Sequence, residues 1–149
     1  MKLKHFLFVV LCIATSAPAQ FRIASYNIAK CIGDHSAIDY VVDAISQDDS
    51  HGKALPLSVI MFQEVSAGNE NTLHQFLGDE YSMGTYTNKG ESGGAQAMFY
   101  NSSQLKEDAD AHKDIFTGAT RYGDRWRLEG IGDYEDIIVW VYSVHFKAS

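Results

Sequence analysis

The sequence predicts an α/β protein whose apolar strands carry polar residues to one edge of a sheet. Three observations predict that class. A strand, a helix and a second strand follow one another up to residue 65, the order of a right-handed parallel crossover. From residue 81 onward the chain changes to the alternating rhythm of β-structure. Three of its apolar segments close on a functional polar side chain: Asn27, Glu64 and His145.

The chain has 149 residues, room for one domain and not for two sizeable ones. Hydrophobic residues make up 46 %, charged residues 21 %, and there are two prolines, a balance that excludes disordered and collagen-like chains. Two cysteines, far apart in sequence, exclude a disulfide scaffold and a zinc finger. The net charge of −7 works against broad binding to polyanions, so any nucleic-acid contact would be local or bridged by cations.

Residues 1–19 have the three-part pattern of a secretory signal peptide. Lys2 and Lys4 are followed by an apolar run from Phe6 to Ala14, then by Ala17 and Ala19 ahead of Gln20. The run is too short to span a bilayer, and no later segment approaches the roughly 20 apolar residues that a membrane helix needs. Export to the periplasm or the exterior is expected, with residues 20–149 forming the mature chain. Cys31 would then be its one remaining thiol.

The segment FRIASYNI (21–28) alternates and reads as the first strand, with Asn27 at its polar end. Ser36-Ala37-Ile38-Asp39 has the form of a capping box, and Ile38, Val41, Val42 and Ile45 supply one apolar helix face. The polar stretch 47–56, with a Gly and a Pro, ends that helix. LSVIMFQEV (57–65) is nearly continuous in apolar residues, as in a strand buried on both faces, and places Glu64 at the same edge as Asn27. Asn69 is expected to cap a short second helix bearing Leu73, Phe76 and Leu77, with Gly78 ending it.

Strands are expected over 81–87 and 95–100, joined through the glycine-rich residues 90–94, and residues 104–118 read as a charged loop with one helical turn. The last two strands are 125–131 and 137–146, joined by GDYED and ending at His145. Gly93-Gly94 lacks the lysine and the following helix of a phosphate loop, so it reads as a plain turn. Cys31 with His35 is too small a set for a site.

Four segments, in order, resemble the endonuclease/exonuclease/phosphatase superfamily, which is DNase I-like in fold: FRIASYNI, VIMFQEV, GGAQAMFYNSSQL and VYSVHFKAS. The resemblance implies half of a four-layered α/β sandwich and metal-assisted hydrolysis of a phosphoester by in-line attack of water. It implies Glu64 as the ligand of Mg²⁺ (or Mn²⁺), and Asn27 beside it on the phosphate or a metal-bound water. His145 would act on the scissile phosphoryl group, and Arg125 would make a phosphate contact, against the plainer reading of a surface arginine. The superfamily's Asp-x-Asn and Asp-His motifs should follow His145 and do not, so the chain is expected to be truncated at its C-terminus. Gly132-Asp133-Tyr134-Glu135 precedes His145 and is not a substitute for them. No carboxylate stands near Gly94 to orient the histidine, as one does in some relatives. The rival reading is a catalytically inactive exported binding module or a gene fragment. Either half-domain should leave an apolar sheet face uncovered and self-associate through it.

Overall fold

The computed structural model describes residues 20–31, 35–48, 56–89, 94–118 and 122–145. The expected signal peptide, most of the loop at 47–56, residues 90–93 and everything after His145 lie outside the described residues, as do the side chains of Cys31 and His35. The elements run β1 (Ile23–Asn27), α1 (His35–Gln47), β2 (Val59–Val65), α2 (Asn69–Leu77), β3 (Tyr81–Met83), β4 (Ala95–Asn101), β5 (Leu105–Glu107), β6 (Lys113–Phe116), β7 (Tyr122–Gly130) and β8 (Ile138–Ser143). Short 3₁₀ turns cover Ala29–Cys31, Ala109–Ala111 and Gly132–Tyr134.

The first sheet has the order β1-β2-β4-β3. β1 and β2 are parallel, with Asn27 paired to Gln63, and the other pairs are antiparallel. The second sheet is built around β7. One edge of β7 pairs with β5 and β6 in turn, and the other with β8.

Side-chain alternation decides how these sheets stack. Along β2, Ile60 and Phe62 meet Ile38 and Val42 of α1 and Leu73 and Leu77 of α2. Val59, from the opposite face of β2, joins Met98 of β4 against Leu105, Trp126, Leu128 and Val141 of the second sheet. β2 is therefore buried on both faces, as its sequence predicts, and the layers run helices, sheet, sheet. Trp126 is wholly buried at this second interface and donates its indole N–H to the Thr85 carbonyl at 2.8 Å. Truncating it to alanine should cost about 3–5 kcal/mol. Arg22, just ahead of β1, donates to the carbonyls of Ile45 (2.8 Å) and Ser46 (3.4 Å) in the last turn of α1, where a cation also complements the helix dipole.

Several local expectations are corrected. α1 begins at His35, so Ser36 lies inside its first turn. Gly68, at φ +93°, is the N-cap of α2 instead of Asn69, and Glu70 accepts the Gly68 N–H at 2.7 Å. Asn69 is free to bond elsewhere and donates to the Lys30 carbonyl at 3.4 Å. The strand expected over 81–87 stops at Met83. The segment 104–118 contains β5 and β6 and is not a loop. These two strands are short and charged because they form a sheet edge, where charge is tolerated and long apolar runs are a liability. β8 buries Val141 and Ser143, while Ile138, Trp140 and Tyr142 face outward and are 55 %, 46 % and 55 % exposed.

Candidate active site at the strand ends

Glu64 owes its position to a break in strand pairing. Gln63 pairs with Gln96, but the next pair is Val65 with Ala95, so Glu64 is the extra residue of a β-bulge. Its φ is +59°, in the left-handed region that an L-residue enters at a cost of about 1–3 kcal/mol. Gly94 makes room for this bulge. A β-carbon there would lie 2.7 Å from both Cα and the carbonyl carbon of Glu64, and the φ of Gly94 is itself +77°. The end of the glycine-rich segment is therefore more than a turn, because it lets one backbone approach another at the carboxylate.

Asn27 and Glu64 share an edge because β1 and β2 are parallel neighbours, and the Ile28 N–H extends the pairing to the Gln63 carbonyl at 3.1 Å. The Asn27 amide is oriented by its own turn, since Oδ1 accepts the Ala29 N–H at 2.9 Å. That leaves Nδ2, which donates to His145 Nε2 at 3.3 Å. The other ring nitrogen of His145, Nδ1, lies 3.5 Å from Glu64 Oε1. Asn27, His145 and Glu64 form one chain of side chains across three strand ends. The side chains of His145 and Glu64 are 25 % and 19 % exposed, so the group opens to solvent.

Arg125 stands apart from this group. It donates to the Ala111 carbonyl at 3.0 Å and stacks its guanidinium 4.8 Å from the Trp140 ring centroid. None of its described partners is Asn27, Glu64 or His145.

A second polar group, with His112 just ahead of β6, Asp114 on β6 and Asp124 on β7, is not marked by any motif in the sequence. Asp114 and Asp124 are direct cross-strand partners, and His112 precedes Asp114 by two positions. One ligand-type atom from each of the three lies within 4.8 Å of the others, so the group could hold a metal ion. Burial, joined by the hydrogen bond and charge of Asp114, pushes the Asp124 carboxyl up to about 8. Burial also pushes Asp114 up, but hydrogen bonds from Lys89, Thr87 and Asp124 outweigh it and hold Asp114 below the usual range. Lys89 Nζ is 2.8 Å from Asp114 Oδ2. His112 Nε2 and Asp124 Oδ1 are buried and have no hydrogen-bond partner.

Two sheets packed face to face, with helices outside the first and Asn, Glu and His at converging strand ends, define a DNase I-like α/β fold. The same fold is found in an endonuclease/exonuclease/phosphatase family protein from Bacteroides thetaiotaomicron, with a TM-score of 0.56 and 14 % identity over 85 % of this chain and 51 % of that one. It is found too in truncated TDP2 from Caenorhabditis elegans, with a TM-score of 0.51 and 17 % identity over 84 % of this chain and 45 % of that one. The chain spans about half the length of these structures. No family model matches the sequence, and no curated protein does.

Proposed function

We propose that residues 20–149 carry one half of the active site of an exported, divalent-metal-dependent phosphoester hydrolase. The observation that carries the reading is the linked group Asn27–His145–Glu64, held at 3.3 and 3.5 Å on the open edge of a DNase I-like fold.

A hard cation fits the donors present. Glu64 offers a carboxylate partly open to water, and Mg²⁺ is commonly held by one or two carboxylates, waters and substrate phosphate. Such an ion supplies Lewis-acid polarisation of a phosphoryl oxygen when bound. Glu64 would hold it. Asn27 would turn its amide from His145 toward the phosphate or a water, with Oδ1 still anchored on Ala29. His145 would give its Nε2 side to the phosphoryl group and stabilise charge on the non-bridging oxygens, while Glu64 steadies the ring through Nδ1.

The alternating row Ile138, Trp140 and Tyr142 supports self-association through the outer face of the second sheet. Among the described residues no helix is long and apolar enough to cross a membrane.

The test is turnover of a simple phosphodiester by the purified chain in Mg²⁺, with and without EDTA. EDTA-sensitive turnover that falls at least ~100-fold in Glu64→Ala is the expected result. Absence of metal-dependent turnover would favour the inactive binding module over the hydrolase, and an unchanged rate in Glu64→Ala would remove Glu64 from the site.

A further inference from the structure

We propose that His112, Asp114 and Asp124 form a second cation site, which takes a divalent first-row transition ion such as Zn²⁺ through His112 Nε2 and one oxygen of each carboxylate. The inference goes beyond the hydrolase reading and does not need it.

Geometry supplies the first argument. His112 Nε2 and Asp124 Oδ1 are 3.9 Å apart, too far for a hydrogen bond. The gap is right for two ligand atoms that each sit about 2.0–2.2 Å from one ion. All three ligand atoms fall within 4.8 Å, so a small contraction closes the set.

Satisfaction of buried polar atoms supplies the second. The side chains of His112 and Asp124 are only 8 % and 6 % exposed, yet both atoms that face the gap lack hydrogen-bond partners. Buried polar groups are nearly always paired, and an unpaired one calls for an explanation such as an ion or a water. Ser143, which pairs with Asp124 from the other edge of β7, adds another buried oxygen without a partner.

Strand register supplies the third. Asp114 faces Asp124 directly across the antiparallel pair on a largely buried face, where two ionised carboxylates would repel, so the pair needs either a shared proton or a cation between them. A cation there takes the place of the shared proton and lets both carboxylates ionise. At present Lys89 does part of this work from the solvent side, 2.8 Å from Asp114.

The chemistry of the set selects the class of ion. An imidazole nitrogen with two carboxylates suits Zn²⁺, Mn²⁺ or Fe²⁺ better than Ca²⁺ or Mg²⁺, which prefer oxygen alone. The ring of His112 packs 5.7 Å from that of Trp126, so the ligand is held by the core and not by a loose loop.

The experiment uses the full chain, stripped with a chelator and titrated with Zn²⁺ alone in a Glu64→Gln background, so that the strand-end group does not contribute. One bound zinc per chain and a rise of several degrees in Tm are expected. His112→Gln and Asp124→Asn, each shown to be folded by circular dichroism, should bind at least ~100-fold more weakly. Lys89→Met removes a competing cation from an exposed position and should tighten binding several-fold. Zinc binding that is absent, or equally tight in folded His112→Gln and Asp124→Asn, overturns the site. Should neither buried variant fold, Lys89→Met decides: tighter binding supports the site, and unchanged or weaker binding overturns it.

Discussion

The molecule holds two groups of histidine and carboxylate, and they are built in opposite ways. Asn27, Glu64 and His145 meet at strand ends, partly exposed, with their polar atoms partnered to one another. His112, Asp114 and Asp124 sit inside the sandwich, where burial leaves two ligand atoms without partners and raises one carboxyl to about 8. In the open group the free-energy cost is carried by the backbone, at the φ of +59° that Glu64 adopts. In the closed group it is carried by electrostatics. A site that must admit substrate can let water satisfy its donors, whereas a buried one needs a proton or an ion to do so.

The sharpest separation comes from Glu64→Gly. Removing the carboxylate should lower metal-dependent turnover at least ~100-fold. The same change relieves about 1–3 kcal/mol of strain against about 0.5–1 kcal/mol of added chain entropy, so stability in urea should rise by about 1 kcal/mol. A loss of both activity and stability would break the comparison, since Glu64 would then be a structural residue.

The closed group is tested by pH. Folded Asp124 keeps its proton to about 8, whereas in the unfolded chain it loses it near 3.8. Its contribution to stability in the metal-free protein is therefore complete below about 3.8, and it declines as pH rises toward 8, because the unfolded state releases a proton that the folded state retains. Asp124→Asn should flatten that fall across the window in urea titrations. An unchanged slope would mean that another group is responsible.

Gly94→Ala acts where the open group meets its scaffold. A methyl group 2.7 Å from the Glu64 backbone, at a φ of +77°, should cost about 1–3 kcal/mol and displace the carboxylate. The check is a fall in both Tm and turnover.

The two groups also differed in how far the sequence revealed them. Asn27, Glu64 and His145 each end an apolar run, where a polar residue stands out, and the parallel crossover that pairs Asn27 with Gln63 followed from element order. The bulge did not, because VIMFQEV reads as an unbroken strand and φ leaves no mark on a glutamate. Asp124 was hidden by Arg125, Arg127 and Glu129, which make the strand look uniformly charged. The signal that could have found it is the period of two in Asp124, Trp126 and Leu128, all of which are buried. His112 and Asp114 share that spacing, but lie in a segment too short and charged to be recognised as an edge strand. For Arg125 the sequence left a phosphate contact against the plainer reading of a surface arginine, and in the structure its described partners are a ring and a carbonyl.

The smallest effect on stability is expected on the outer face of the second sheet, and it serves as the control for both groups. Ile138 pairs with Glu129 and Tyr142 with Arg125, so Ile138→Lys and Tyr142→Glu each place an opposite charge across the strand pair. The double variant should change stability by no more than about 0.5 kcal/mol, because each residue is more than half exposed. It removes two of the large apolar side chains that alternate along β8, so self-association measured by sedimentation should weaken at least ~10-fold. Turnover and zinc binding should stay as they were, since neither residue contacts either group. If association persists, the contact lies elsewhere; if zinc binding or turnover moves with it, the outer face and the polar groups are coupled through β7, and the two sites are less separate than their geometry makes them.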